Sequence, residues 1–217
     1  WNIVPDPSAP TTATGSPSFA INQCEGTTLT LTGAAGGGTN LGVGCSIEYQ
    51  YSTDAGVSWT NTGGTIPSFA AVYPAGATKT NIIQARRVSC QAGCDNSPWG
   101  TVATWTIVED PTAPTTATKN PNVTTVCDGT TLTLAGAASG GITGMSCSIE
   151  YRFSTDNGST WSSASTSIPS FSSVGTLGND NIIEARRNTC QSGCNAPTSW
   201  NEVARWSTVP DPDAPTT

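Results

Sequence analysis

Two stretches of the chain decide its fold: CSIEYQYSTDAGVSW at 45–59 and CSIEYRFSTDNGSTW at 147–161. Ten of their fifteen positions are identical. The 217 residues therefore contain a tandem repeat with a period of roughly one hundred residues. Two further blocks recur around these stretches in the same order: CEGTTLTL (24–31) with CDGTTLTL (127–134), and NIIQARRVSCQAGC (81–94) with NIIEARRNTCQSGC (181–194).

Apolar and polar residues alternate within each repeat. Leu29 and Leu31 alternate with threonines, and Ile47, Tyr49 and Tyr51 alternate with polar neighbours. Short alternating runs separated by Gly, Pro, Asn and Asp are typical of β-strands, and no segment has the apolar stripe of a capped helix. About seven such strands per repeat predict an all-β chain of tandem immunoglobulin-like β-sandwich repeats.

A third, partial copy of the repeat marks the expected domain boundaries. WNIVPDPSAPTT opens the chain, WTIVEDPTAPTT follows at 105–116 and WSTVPDPDAPTT closes it at 206–217. We expect this sequence to be a window from a longer array, joined by short, stiff linkers because proline fixes φ. The predicted parts are the end of a preceding repeat (1–7), repeat 1 (8–108), a linker (109–111), repeat 2 (112–209) and a linker to a following repeat (210–217).

The composition excludes several classes of function. Eight Lys and Arg against fifteen Asp and Glu give a net charge of −7, so we predict no binding to nucleic acid. No apolar run is long enough for a membrane span. The chain has no His, which excludes His-ligated metals and nucleophile–His dyads. We predict that the chain is not an enzyme.

The second half of each quoted stretch matches the Asp-box pattern S-x-D-x-G-x-[ST]-W. This pattern predicts a structural hairpin in which the Asp carboxylate accepts backbone N–H groups, Gly adopts a positive φ and Trp packs beneath. Sialidase propellers also carry such boxes, and a sialidase would further need several arginines gathered on one substrate carboxylate and a Tyr/Glu nucleophile pair. Here the boxes occur once per hundred residues, in a chain too short for a propeller, so the structural interpretation is preferred. The hairpin residues are Asp54, Gly56 and Trp59 in repeat 1 and Asp156, Gly158 and Trp161 in repeat 2.

An even number of cysteines in a weakly charged chain rich in Thr, Ser and Gly predicts disulfides and an extracellular location. A bridge that closes about 45 residues contributes about 4 kcal/mol in the chain-entropy model. The eight predicted disulfide cysteines are Cys24, Cys45, Cys90, Cys94, Cys127, Cys147, Cys190 and Cys194.

The pairing of these cysteines has two alternatives. On an immunoglobulin-like topology, Cys45, Cys90 and Cys94 lie at one end of the sandwich, whereas Cys24 lies at the other, beyond disulfide reach. One alternative is an inter-repeat disulfide from Cys24 to Cys147, Cys190 or Cys194, with Cys127 reaching a further repeat. The other is two bridges inside each domain, which needs an unusual strand order or the Gly-rich 33–44 loop to bring Cys24 across.

Three further groups have a structural and a ligand-binding interpretation. Arg86-Arg87 and Arg186-Arg187 either form cross-strand ion pairs with Glu48 and Glu150 or grip a ligand. Trp99 and Trp200 either close the sandwich or contact a sugar. The linker aspartates fall short of the six to eight ligands that Ca²⁺ needs, so we predict no cofactor and keep interdomain calcium as an alternative. These aspartates are Asp6, Asp110, Asp211 and Asp213.

Together the CxGTTLTL, CSIEYxxSTDxGxxW, NIIxARR and CQxGC motifs resemble the stalk repeats of large Bacteroidota surface proteins of the gliding-adhesin type. The resemblance implies immunoglobulin-like modules in an extracellular fibre at the cell surface and carries over no catalytic residues. We therefore expect a non-catalytic structural module in a stiff head-to-tail array or filament. Its partners would be neighbouring repeats or identical subunits. The alternative is a pair of carbohydrate-binding modules that use Trp99 and Trp200 on surface glycans.

Overall fold

The computed structural model describes residues 3–40, 44–175, 179–189, 194 and 197–210. The chain divides into two compact units, Trp1–Glu109 and Asp110–Thr217. This division falls within the predicted linker 109–111, while the other boundaries stay predictions. Cys190 and most of the predicted linker 210–217 lie outside the described residues. Among the residues that are described, the regular elements are all β-strands, which confirms the predicted all-β class.

The first unit is a sandwich of two sheets. One sheet has the order β1-β3-β6, and the other has the order β2-β8-β7-β4-β5. All neighbours are antiparallel except β2 and β8, which run parallel. The strands are β1 (Gly15–Ser16), β2 (Gln23–Cys24), β3 (Thr28–Leu31), β4 (Gly44–Ser52), β5 (Thr60–Gly63), β6 (Ser68–Ala70), β7 (Thr80–Ser89) and β8 (Gly100–Val108).

The second unit repeats this arrangement with one strand fewer among its described residues. Its sheets have the orders β13-β11-β9 and β10-β15-β14-β12, and β10 runs parallel to β15. A single bridge, Tyr151 to Ser165, stands where the first unit has β5. The strands are β9 (Lys119–Asn120), β10 (Thr125–Cys127), β11 (Thr131–Leu134), β12 (Ser146–Ser154), β13 (Phe171–Ser172), β14 (Asp180–Thr189) and β15 (Asn201–Val209).

Residues from both sheets form one apolar core in each unit. Leu29 and Leu31 project inward from β3, as their alternation predicts, and face Ile83 and Trp105 from the other sheet. The Trp105 indole N–H donates to the Pro17 carbonyl at 2.8 Å, so this fully buried ring leaves no unpaired donor. Two sheets of this order packed over one core make each unit an immunoglobulin-like sandwich.

A buried asparagine anchors the segment between β6 and β7. Asn81 is fully buried, and its amide accepts a hydrogen bond from Val72 N and donates to Val72 O, both at 2.9 Å. The same amide donates to Thr53 O at 3.2 Å. Asn181 does the same for Val174 in the second unit and also donates to the Thr208 hydroxyl at 2.6 Å. This pair of bonds to one residue fixes the path of the chain into β7 and β14.

Candidate functional site

One disulfide lies inside the first repeat, between Cys45 and Cys90. Their Cα atoms are 5.6 Å apart and 45 residues separate them along the chain. Cys45 lies at the second position of β4, and Cys90 follows directly after β7, next to the pair Gly44 and Ser89. The bridge therefore joins adjacent strands of one sheet rather than the two sheets of the sandwich. In the second repeat the equivalent Cys147 is also disulfide-bonded.

Cys24 and Cys94 lie at opposite ends of the first repeat. Cys24 is fully buried, disulfide-bonded and opposite Val108 in the β2–β8 pair, where the chain leaves the repeat. Cys94 precedes β8, and the backbone N–H of the next residue, Asp95, donates to Asp6 Oδ1 at 2.9 Å. Cys94 therefore lies where the chain enters the repeat, and its thiol is free and partly exposed.

The nine residues of β8 lie between these two cysteines. At about 3.3 Å per residue they separate the two ends by roughly 26 Å, whereas a disulfide needs Cα atoms within about 7 Å. The alternative of two bridges inside each domain is thus wrong for the first repeat, because Cys94 does not pair with Cys24. Cys94 is free, which also corrects the prediction that all eight cysteines are bonded.

The second repeat has the same two positions with the opposite redox state. Cys127 pairs in register with Val209, as Cys24 does with Val108, but its thiol is free and exposed. Cys194, the equivalent of Cys94, is disulfide-bonded. Within this chain the Cys127 thiol forms no disulfide, because this position lies at the far end of the strand from the other described cysteines of its repeat. Two bridges inside the second repeat are therefore wrong as well, whereas the alternative that Cys127 reaches a further repeat stays a prediction.

The two predicted hairpins contain a tight turn held by an aspartate. Asp54 Oδ1 accepts hydrogen bonds from the Ser52 hydroxyl at 2.7 Å and from Ser58 N at 2.9 Å, and Oδ2 accepts from the Ser58 hydroxyl. Ala55 and Gly56 both have positive φ, 60° and 91°, which is typical of a type I′ turn. Trp59 lies beside Gly56, where an added Cβ would approach the indole to 3.4 Å.

The equivalent turn in repeat 2 has the same bonds. Asp156 accepts from the Ser154 hydroxyl at 2.7 Å, from Thr160 N at 2.8 Å and from the Thr160 hydroxyl at 2.5 Å. Asn157 and Gly158 take the positive φ values, 58° and 82°. The side-chain bond from Ser58 lowers the pKa of Asp54 to about 2, and that from Thr160 lowers the pKa of Asp156 to about 2. Each turn is a closed structural unit with its carboxylate already satisfied.

In each Arg-Arg pair, the first arginine forms the cross-strand ion pair that the sequence predicts, and the second does not. Arg86 contacts Glu48 at 2.7 Å across β4 and β7, and Arg186 contacts Glu150 at 2.7 Å across β12 and β14. The bond from Arg186 lowers the pKa of Glu150. Arg187 instead is buried, and it donates to the backbone carbonyls of Thr112 and Gly140. Arg87 likewise donates to the Gly37 carbonyl at 2.8 Å, so the members of each pair have separate internal partners rather than one shared ligand site.

Stacked tryptophans and arginines cover the outer face of the second unit's larger sheet. We call Trp161, Arg152, Trp200 and Arg186 the Trp–Arg ladder. The Arg152 guanidinium lies 4.2 Å from the centre of the nearest Trp161 ring and 4.5 Å from that of Trp200. Arg186 lies 4.4 Å from Trp200. The Glu184 carboxylate forms an ion pair with the Arg152 guanidinium at 2.6 Å and neutralises its charge.

The first repeat has a reduced version of this ladder. Arg86 lies 4.7 Å from the Trp99 ring. A Gln50–Gln84 hydrogen bond of 2.8 Å replaces the Arg152–Glu184 pair. Sequence reasoning missed the ladder, although the exchange of two facing glutamines for an arginine and a glutamate was visible in the repeat alignment. Both Trp99 and Trp200 are partly exposed and lie against the sheet.

The described residues contain no group of three or more His, Cys, Asp or Glu side chains that could hold a metal ion. Asp6 instead accepts the hydrogen bond from Asp95 noted above, and Asp211 and Asp213 lie outside the described residues. In the part of the chain that the structure describes, no helix is long and apolar enough to cross a membrane.

No protein-family model and no curated protein matches the sequence. Solved structures with a similar backbone include the titin domains A168-A170, at 9% identity and a TM-score of 0.40. The match covers 88% of this chain and 62% of the titin chain. The chicken CNTN1 FN1-FN3 domains have 13% identity and a TM-score of 0.32, with 94% of this chain and 67% of that one covered. A marsupial T cell receptor has 14% identity and a TM-score of 0.33, with 97% and 75% covered. The fold assignment rests on the strand order described above.

Proposed function

We propose that this chain is a non-catalytic structural module of an extracellular fibre at the cell surface, joined head to tail to further modules of the same kind. The observation that carries the proposal is the placement of cysteines in two immunoglobulin-like repeats. Each repeat has one cysteine where the chain enters and one where it leaves, in addition to the cysteines beside its paired strands. This arrangement suits a covalently reinforced array better than a single globular domain.

The remaining features of the surface support the same proposal. The Asp54 and Asp156 turns and the Trp–Arg ladder are satisfied internally, so they stabilise the sandwich without requiring a ligand. The sequence motifs resemble stalk repeats of Bacteroidota surface proteins. A chain of such repeats would hold an adhesive or motile tip away from the cell.

The proposal is tested on intact cells that make the protein. An antibody raised against the 217-residue chain should label extended structures outside unbroken cells in immunogold electron microscopy. Labelling that appears only after lysis would contradict an extracellular fibre. A denaturing gel of the native material with reductant then distinguishes a continuous giant chain from a filament of separate short subunits.

Carbohydrate binding is the second candidate function, and it is favoured at Trp99 rather than Trp200. Two guanidinium groups contact the Trp200 ring, whereas among the described residues one, from Arg86, contacts Trp99. An indole face needs open space to stack on a sugar ring. A glycan array probed with the wild type and the Trp99→Ala variant tests this function, and no Trp99-dependent signal would exclude it.

A further inference from the structure

We propose that Cys127 of one copy of this chain forms a disulfide with Cys94 of a second copy, so that copies join covalently head to tail. The proposal rests on the proposed function and names the partner and the bond through which an array is built. It follows from three observations: where the two free thiols lie, how their backbone is held, and what the equivalent cysteines do in the other repeat.

The two free thiols lie at ends of opposite kind. Cys127 pairs with Val209 at the end where the chain leaves the second repeat, and Cys94 lies near Asp6 where the chain enters the first. Association through two different surfaces gives an open head-to-tail polymer, whereas a surface that pairs with itself gives a closed dimer. A bond between the leaving end of one copy and the entering end of the next is of the first kind.

The backbone at Cys127 is fixed while its side chain is exposed. Its carbonyl accepts hydrogen bonds from the Thr130 hydroxyl at 2.7 Å and from the Ser173 hydroxyl at 2.8 Å. The next residue, Asp128, donates its N–H to the Val209 carbonyl at 3.0 Å. Because this backbone is already ordered, bonding of the thiol to a partner costs little further backbone entropy.

The loop that carries Cys94 is also held by hydrogen bonds. Cys94 N donates to the Gln91 carbonyl at 3.1 Å, and Ser89 N donates to Asn96 Oδ1 at 2.9 Å. The Cys45–Cys90 bridge ties the start of the same loop to β4. Cys94 is partly exposed, so its thiol is accessible to a second chain.

The equivalent positions of the other repeat form disulfides. Cys24 has the same register against β8 as Cys127 has against β15, and Cys24 is bonded. Cys194 occupies the position of Cys94, and it too is bonded. Both the leaving-end and the entering-end positions of this fold therefore accommodate a disulfide. The two positions that remain free within one copy are one of each kind, as a head-to-tail bond between copies requires.

The bond forms by two thiol–disulfide exchanges with a low-molecular-weight disulfide. The Cys127 thiolate attacks one sulfur of the small disulfide and releases a small thiolate, which gives a mixed disulfide. The Cys94 thiolate of the second copy attacks the Cys127 sulfur and releases the second small thiolate. Two protein thiols are thus oxidised by two electrons, the small disulfide is reduced to two thiols, and the two protons pass to the released thiolates.

The test uses the 217-residue chain oxidised with glutathione disulfide at physiological ionic strength, because each thiol precedes an aspartate and salt screens the repulsion between them. The wild type should give a ladder on a gel without reductant, which collapses to 22.1 kDa with reductant. Cys94→Ser alone and Cys127→Ser alone should give no ladder. An equal mixture of the two variants should stop at a heterodimer, because each variant retains one of the two thiols.

Isotope labelling of one variant assigns the bond. Peptide mapping should find a Cys94–Cys127 pair with one labelled and one unlabelled half. Random pairing would give each homodimer in half the amount of the heterodimer, and we expect the heterodimer to exceed this proportion. Unchanged melting temperatures of both serine variants would show that folding is intact. A wild type that stays monomeric, a Cys94–Cys127 pair within one chain, or homodimers at the random level would overturn the proposal. None of these results bears on the immunogold experiment, so the two proposals fail separately.

Discussion

Replacing Asn81 by alanine should destabilise the first repeat more than any surface change. The substitution removes three hydrogen bonds to Val72 and Thr53. The backbone N–H and C=O of Val72 and the C=O of Thr53 then lose their bonds to the Asn81 amide, next to a position that is fully buried. At about 1 kcal/mol for each bond, the expected loss in the free energy of unfolding is roughly 3 kcal/mol. For a domain of this size, that corresponds to a fall in melting temperature of roughly 12–20 °C.

Differential scanning calorimetry of the whole chain measures this loss, because the second repeat serves as an internal reference. Asn81→Ala should shift one transition, and Asn181→Ala should shift the other. Asn61→Ala is the matched control, since its exposed amide accepts one hydrogen bond, from Gly63 N at 2.7 Å. A loss below about 1 kcal/mol for Asn81→Ala would mean that water satisfies the freed backbone groups, and the assignment of Asn81 as an anchor would be refuted.

Three further predictions concern the hairpin and the ladder. Ala55→Asn should stabilise the first repeat by about 1 kcal/mol, because Ala55 has a φ of 60° that asparagine tolerates better; urea denaturation measures it. The pKa of Asp54 is lowered from 3.8 to about 2, so its contribution to stability is complete above pH 4 and is lost as the pH falls towards 2. Melting curves of the wild type and Asp54→Asn should therefore converge at low pH, and a constant difference would contradict this. Gln50→Arg with Gln84→Glu should transfer the ion pair of repeat 2, with a coupling of about 0.5–1 kcal/mol in a double-mutant cycle, and no coupling would count against the ladder as a stabilising feature.

The short runs in which apolar and polar residues alternate were sufficient to predict the sandwich. Leu29 and Leu31 on one sheet and Ile47, Tyr49 and Tyr51 on the other follow the period of two, and the structure places these runs in β3 and β4. The short β2 was not predicted, because two residues carry no periodic signal. Its parallel pairing with β8 is nevertheless what sets the end at which Cys24 lies.

Only part of the reason why Cys94 and Cys127 are free could be predicted from the sequence. The expected distribution of cysteines between the two ends agrees with the first repeat, but choosing between the two alternatives required the register of β8. The position of Trp99 and Trp200 could not be predicted either. Each precedes the last strand of its repeat, in a loop without alternation, so nothing in the sequence indicates which face of the sheet the ring covers.

The Cys45–Cys90 bridge also determines how the first unit responds to a pulling force. It closes 45 of the 109 residues of the unit into a loop that cannot lengthen while the bond is intact. Roughly 150 Å of chain is thereby withheld from extension. The parallel β2 and β8 strands pair at the end where the chain leaves the repeat, so a force that pulls β2 back towards the start of the repeat and β8 away from it would load their hydrogen bonds together in shear. A repeat of this design would yield in a short, abrupt step and keep its central strands together, ready to refold when the tension falls.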